Sequence, residues 1–285
     1  MKHQLLALDV DGTLVGPDNV VPTDVAEAIS AAGAAGLRVC LATGRTLEET
    51  LPVWRQLRLA APHEPMVLVG GAMVSEPASG RTLYQKTISR ELTAEYGEAL
   101  LAAGYSAIAF VDPWRHGLEY IVADGADAAA VRDRWFSQMK VRIRRVAALG
   151  RDEREPMPMR INAVVDDSVG AEVEAEMLRR FGDRLNIHVI HAPNYGVTIL
   201  EAFAPGASKW TALKYLAQAY EIGPGGIVAV GDDVNDVPML RGAGLGVAMP
   251  NATPRAKDAA DRVAEEGLVA FLRRLAAGEC SPAIR

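Results

Sequence analysis

The chain has 285 residues, room for one large domain or two smaller ones. With 49% hydrophobic and 23% charged residues it has enough apolar surface for a core, which excludes disorder as its dominant state. A net charge of −6 argues against a general nucleic-acid binder and against docking on an anionic membrane, since both need a basic footprint.

In chain order, residues 4–8 read as a short buried strand ending at Asp9. Residues 23–35 have helical spacing, with Thr23 as N-cap and Gly36 as the stop. A second strand at 37–42 runs into Thr43-Gly44-Arg45. A helix at 46–58 and a third strand at 66–69 follow, ended by Gly70-Gly71. This alternation predicts a parallel sheet covered by helices on both faces. The middle differs. Strands are expected at 106–112, 118–123, 159–165, 185–191 and 197–203, with helices at 90–103, 127–138 and 168–181. The short link between the first two of these strands predicts antiparallel pairing. The first pattern then returns, with a helix at 208–220, a strand at 226–230, a helix at 236–242, a strand at 245–248 and a last helix at 267–277. The outer thirds therefore share one sheet, and residues 84–196 form an inserted α+β domain.

The densest chemistry is Asp9-Val10-Asp11-Gly12-Thr13-Leu14, directly after the first strand. In open α/β sheets ligands bind beyond the carboxyl ends of the strands, which puts Asp9 and Asp11 at the active edge. Two carboxylates at this spacing allow one to act as nucleophile and the other as general acid and base. Their oxygens also suit a hard cation such as Mg2+. Gly231-Asp232-Asp233-Val234-Asn235-Asp236 follows the buried strand at 226–230. If that strand neighbours the first, Asp232 projects toward Asp9 and Asp11, and three converging carboxylates require a cation. Asp236 can cap the helix starting near Pro238, brace the metal site, or do both.

Thr43-Gly44-Arg45 combines a hydroxyl, a glycine amide and a helix N-terminus, which together make an anion site. Lys supplies only six of the 30 basic residues, so Lys209 at a helix start stands out. A cation there opposes the helix dipole by about 0.3–1 kcal/mol, a conflict that an anionic partner removes. Other groups carry less. His188 and His191 lie three apart on a strand, on opposite faces, which disfavours a shared metal. Asp166-Asp167 reads as a helix cap. Cys40 and Cys280 read as unpaired thiols in a reducing compartment.

The ordered set Asp-x-Asp-Gly-Thr, Thr-Gly-Arg, Lys and Gly-Asp-Asp-x-Asn-Asp resembles the haloacid dehalogenase-like superfamily, and most of all its Cof-type sugar-phosphatase branch. Leu200-Glu201, Pro205-Gly206-Ala207-Ser208-Lys209, Asp236-Val237-Pro238-Met239-Leu240, Gly246-Val247-Ala248-Met249 and Asn251-Ala252 extend the likeness along the chain. The resemblance implies an α/β fold: a doubly wound parallel-sheet Rossmann-like core at 1–83 and 197–285, with an inserted α+β cap domain at 84–196. It implies that Asp9 attacks phosphorus and that Asp11 protonates the leaving alcohol, then activates water. Thr43, the Gly44 amide and Lys209 would hold the phosphoryl group, helped by the Val10 amide, Arg45 and Asn235. Mg2+ would be held by Asp9, the Asp11 carbonyl and Asp232, with Asp236 bracing the metal shell.

Ion pumps of similar motif carry Thr where this chain has Asp11, so rapid hydrolysis of the aspartyl-phosphate is implied. Two departures leave substrate preference open: Gly70-Gly71 stands where the branch often has Asn-Gly, and Asp233 where it often has Gly. The expectation is a Mg2+-dependent phosphatase of small phosphomonoesters, sugar phosphates above all. The alternatives are a phosphohexomutase such as phosphomannomutase, or a dedicated disaccharide-phosphate or mannosyl-3-phosphoglycerate phosphatase. A non-catalytic phosphometabolite binder would have no use for a nucleophile beside an acid. Trp114, Arg115, His116, Asn194 and Tyr195 are the cap positions expected to read the leaving group. The expected partner is a small phosphorylated metabolite, with no nucleic acid and no membrane, for a monomer or homodimer. No apolar run reaches the ~18 residues that span a bilayer, and the N-terminal stretch is too short for a signal-peptide core. A cytoplasmic location is therefore expected.

Overall fold

The apolar run Leu5–Leu8 forms strand β1, with all four side chains buried, as a strand covered on both faces requires. The computed structural model describes residues 3–59, 64–126, 136, 141–192 and 197–280. The next strands are β2 (Arg38–Leu41), β3 (Met66–Leu68), β4 (Met73–Ser75) and β5 (Thr82–Gln85). Then come β6 (Ala107–Phe110), β7 (Tyr120–Ala123), β8 (Ile143–Val146), β9 (Arg160–Asp166), β10 (Asn186–Ala192) and β11 (Val197–Phe203). The last are β12 (Ile227–Gly231), β13 (Leu245–Ala248) and β14 (Arg262–Val263). The chain divides into two compact units, Met1–Tyr84 with Ser208–Arg285, and Gln85–Ala207.

In the first unit a five-stranded sheet runs β14-β13-β12-β1-β2, and every neighbouring pair is parallel. Leu8 is in register with Val230 on one side and Leu41 on the other, so β12, β1 and β2 end level. The residues that follow these ends, Asp9, Asp232 and Thr43, start from one edge. β3 meets this sheet through a single parallel bridge, Ala42 to Val67, and otherwise pairs antiparallel with β4 in a small sheet with β5. The run at 66–69 is thus a junction and not a full third strand of the main sheet.

Helix Thr23–Ala34 is flanked by Pro22, with no side-chain cap. Thr23 is its first turn, not its N-cap, because Pro22 already supplies the extended entry and has no N–H to satisfy. Helix Leu47–Gln56 opens on a capping box in which Thr46 and Glu49 satisfy each other's backbone groups. Helix Lys209–Ala219 is capped by Ser208, whose hydroxyl accepts from the Thr211 amide at 3.1 Å.

The second unit is a six-stranded sheet, β10-β11-β9-β6-β7-β8. β6 and β7 pair antiparallel, as their short connection predicts. Helices Arg90–Ala102 and Asp167–Phe181 bury Tyr96, Leu100, Met177 and Phe181 against Ala109, Ile121, Ile161 and Ala163. Strand alternation sends Phe110, Tyr120, Arg160, Asn162 and Glu201 to the opposite face. There Arg160 and Glu201 form a buried ion pair at 2.8 Å. The unit ends at Ala207, eleven residues past the boundary expected at 196, because β11 pairs along its whole length with both β9 and β10. β8 was not anticipated; its Ile-Arg-Arg-Val sequence at a sheet edge carries no apolar alternation. The helix expected at 127–138 lies outside the described residues.

The fold class is α/β, with a parallel-sheet core interrupted by a mixed unit. Among the described residues no helix is long and apolar enough to cross a membrane.

Candidate active site

Asp9 leaves β1 with its amide donating to the Val230 carbonyl of β12 at 3.0 Å. The chain then folds back, and the Leu14 and Val15 amides both donate to the Val10 carbonyl, at 2.8 and 3.0 Å. Gly12 makes this turn possible at φ +78, and a Cβ there would overlap the Asp232 carboxylate. With no side chain at 12, Asp232 comes close enough for Thr13 Oγ1 to donate to its Oδ1 at 2.9 Å. Asn251 Nδ2 donates to the Gly12 carbonyl at 3.0 Å and fixes the loop from outside.

Lys209 is 1% exposed, and its ammonium is shared. Nζ donates to Asp9 Oδ1 and to Asp236 Oδ1, each at 2.6 Å, and to Asn235 Oδ1 at 3.3 Å. Asp236 Oδ2 takes the amides of Asp232 and Asp233 at 2.9 and 3.0 Å. Asp236 therefore braces the loop and the lysine with both oxygens. Asp9, Asp232 and Asp236 each offer an oxygen, all within 4.8 Å of one another. One ammonium against three carboxylates leaves negative charge uncompensated. Burial, with the Asp236 charge added, holds Asp9 well above the ordinary carboxylate range despite Lys209. Asp232 is raised as well, chiefly by burial. Burial pulls Lys209 down, but Asp236 and Asp9 outweigh it and keep the ammonium above its usual value. A hard divalent cation among these all-oxygen donors would neutralise the excess charge, so the residues present fit Mg2+.

Beyond β2, Thr43 is fully buried and its Oγ1 accepts the Arg45 amide at 3.1 Å. A Cβ at Gly44 would meet nothing within 4 Å, so there is room beside its Cα. The turn after β3 backs this loop. Val69 donates to the Arg45 carbonyl at 2.9 Å and Gly70 to the Thr43 carbonyl at 3.1 Å. Val69 holds φ +53 while fully buried, a strained state for a β-branched residue. Gly71, at φ +92, lies so close to Ser208 and Lys209 that a Cβ would overlap their backbone. One strained turn thus touches both the Thr43 loop and the Lys209 helix.

Asp9, Asp232, Asp236, Asn235 and Lys209 come together, with Val10 and Thr43 on the adjoining strand ends. Arg45, expected to help hold the phosphoryl group, has its side chain on Asp11. Its guanidinium donates to the Asp11 carboxylate twice, Nε to Oδ2 at 2.9 Å and Nη2 to Oδ1 at 2.5 Å. Asp11 stays outside the buried cluster, with its side chain 61% exposed. Asp233 turns its carboxylate to the Val234 amide at 2.7 Å and does not join the acidic cluster. Asn19 and Thr253 were not foreseen. Asn19 Oδ1 accepts from Arg45 at 2.5 Å, and the Thr253 amide donates to the Asp232 carbonyl at 2.8 Å. In sequence, Pro17-Asp18-Asn19 reads only as a turn, and nothing local links it to position 45. In the second unit, Trp114, Arg115 and His116 form a short helix capped by Asp112, with Trp114 exposed. Asn194 and Tyr195 lie outside the described residues.

A family model described as haloacid dehalogenase-like hydrolase matches residues 6–267. The phosphoglycolate phosphatase of Natronomonas pharaonis is 28% identical over 91% of this chain and 90% of its own length. The 5-amino-6-(5-phospho-D-ribitylamino)uracil phosphatase YitU of Bacillus subtilis is 25% identical over 95% of this chain and 97% of its own. A haloacid dehalogenase-like hydrolase from Bacteroides thetaiotaomicron superposes with a TM-score of 0.73 at 25% identity, covering 96% of this chain and all of that one.

Proposed function

The chain belongs to the haloacid dehalogenase-like hydrolases and is a phosphoric monoester hydrolase; from that premise we propose that it transfers the phosphoryl group of small sugar phosphates to Asp9 and then to water. The observation that carries this reading is the Lys209 ammonium fixed between Asp9 and Asp236, beside Asp232, at three level strand ends.

Lys209 orients Asp9 through Oδ1, so a carboxylate oxygen of Asp9 attacks phosphorus along a set line. The bond to the leaving oxygen breaks as that oxygen takes a proton from Asp11. Water then attacks the phosphorus of the aspartyl-phosphate and gives a proton to Asp11 as the bond to Asp9 breaks, which releases inorganic phosphate and leaves Asp9 a carboxylate and Asp11 protonated again. Thr43 and the Gly44 amide contribute donors, and Lys209 its positive charge, where negative charge gathers on the phosphoryl oxygens. Mg2+, held by Asp9, Asp232 and the Asp11 carbonyl with Asp236 bracing, supplies the remaining positive charge when bound. The inserted unit takes the role of cap in this reading. Small substrates are favoured by the two relatives described above, both named for phosphatases of small phosphomonoesters.

The test is phosphate release from a panel of sugar phosphates, nucleotides and p-nitrophenyl phosphate, with Mg2+, with EDTA and with Asp9→Asn. Mg2+-dependent release that disappears in Asp9→Asn is expected, with sugar phosphates the best substrates. Release that persists in Asp9→Asn rejects the nucleophile, and interconversion of hexose phosphates without release points to a mutase.

A further inference from the structure

The Arg45 guanidinium, close to the Thr43 hydroxyl in sequence, is turned onto the Asp11 carboxylate. We propose that Arg45 is a positioning residue for Asp11, holding the acid–base carboxylate at the mouth of the site, and that Asn19 completes the grip. This rests on the reading of Asp11 as acid and base.

The contact is a fork. Nε and Nη2 of one planar guanidinium meet the two oxygens of one carboxylate, at 2.9 and 2.5 Å. Such a pair fixes direction as well as distance, which a lysine could not do. Two of the three remaining N–H donors are also engaged. Nη2 reaches Asn19 Oδ1 at 2.5 Å, and Nη1 reaches the Glu49 carbonyl at 3.4 Å. The guanidinium is therefore committed to protein acceptors, with little left for a phosphate. The Arg45 side chain is 18% exposed and that of Asp11 61%, so the anchor is the arginine and the reachable group is the carboxylate.

Asn19 is itself held. It takes the left-handed conformation at φ +58, and its carbonyl accepts from Gln56 Nε2 at 3.1 Å. Gln56 Oε1 takes the Val21 amide at 2.9 Å, and Nε2 also donates to the Pro52 carbonyl at 3.1 Å. A line of contacts thus runs from helix Leu47–Gln56 through Asn19 and Arg45 to Asp11. At its other side the Arg45 amide rests on Thr43 Oγ1. The residue that aims the acid and the residue that meets the phosphoryl group share one three-residue turn.

The experiment compares wild type, Arg45→Ala, Arg45→Lys, Asn19→Ala and Asp11→Asn, each checked for folding by circular dichroism. Two quantities are read: the inhibition constant of inorganic phosphate, and single-turnover rates on a hexose 6-phosphate and on p-nitrophenyl phosphate. The hexose alkoxide needs a proton to leave, whereas p-nitrophenolate does not. Arg45→Ala should lower the hexose phosphate rate about 10- to 100-fold, part of what acid–base catalysis supplies. Release of p-nitrophenolate should fall less than about threefold on the same reasoning, because that step needs no acid. Phosphate inhibition should stay within about twofold, since Arg45 does not hold the anion. Arg45→Lys should recover little of the rate. Asn19→Ala should give a smaller loss with the same pattern, and it carries the test if Arg45→Ala does not fold. Phosphate inhibition weakened tenfold or more, or equal losses on both substrates, overturns the proposal. If Asp11→Asn slows hexose phosphate turnover and Arg45→Ala does not, the positioning role fails while the acid–base reading stands. If Asp11→Asn keeps full activity, the acid–base reading fails, and the positioning role with it.

Discussion

Lys209 Nζ donates to Asp9 Oδ1 at 2.6 Å, across 200 positions of sequence, and both side chains are buried. The same ammonium holds Asp236. Removing it exposes each carboxylate to the other in a site that water cannot screen.

Lys209→Met should therefore destabilise the protein by about 3–5 kcal/mol, the usual result of breaking a buried pair from one side. Denaturant unfolding with EDTA near pH 8 reads this directly. Turnover should fall about 100- to 1,000-fold, as when a preorganised donor is lost from a charged transition state. Unchanged unfolding would mean that the pair has no energetic weight.

The raised pKa values of Asp9 and Asp232 set a pH dependence. Unfolded, these groups titrate at about pH 4. Folded, they hold protons to higher pH, so the native state binds more protons than the unfolded chain. Their contribution to stability is therefore full below the unfolded value and is lost as pH rises through the folded one. In the proposed reading, Mg2+ bound at Asp9 and Asp232 would take the place of those protons. The rise in Tm on adding Mg2+ should be larger near pH 8 than near pH 5, and Asp232→Asn should shrink it. Equal shifts at both pH values would contradict the assignment.

Gly71 and Gly36 form a matched pair, with φ of +92 and +97. Alanine at either meets the left-handed penalty of about 1–2 kcal/mol. At Gly36 a Cβ has nothing within 4 Å, whereas at Gly71 it overlaps the Ser208 backbone. Gly71→Ala should be the more destabilising. It should also lower kcat by about tenfold or more through displacement of Lys209, while Gly36→Ala keeps wild-type kcat. Thermal unfolding and steady-state kinetics on the two variants separate these effects. Equal behaviour would remove the turn at 69–71 from the site's support.

In the inserted unit, the Arg160–Glu201 pair bridges β9 and β11 at 2.8 Å and is buried. Glu201→Ala should destabilise by about 3–5 kcal/mol, since it takes the paired carboxylate from a buried guanidinium. The double change Arg160→Met with Glu201→Leu should recover most of that loss. A double-mutant cycle in urea gives the answer. If the double variant is as unstable as the single one, charge pairing is not what this position supplies.

Much of the site could be read before folding was considered. Asp9, Thr43 and Asp232 each follow an apolar run, and parallel strands in register bring such positions to one edge. The run at 66–69 was apolar enough to suggest a strand, but not that it would bridge the main sheet at one residue only. β11 has the pattern of a strand in either unit, and only its two antiparallel ladders assign it to the inserted one.

The sequence alone determined which chemical groups are present, their order, and which of them follow buried strands, because periodicity and glycine placement are local properties. Tertiary structure alone decided the pairings. It put Arg45 against Asp11, gave both oxygens of Asp236 to Lys209 and the loop amides, and turned Asp233 away from the acidic cluster. Partner choice depends on which long side chains reach one another after the loops have packed. That distance is set by strand register and by close contacts such as those at Gly12 and Gly71, neither of which any short stretch of sequence encodes.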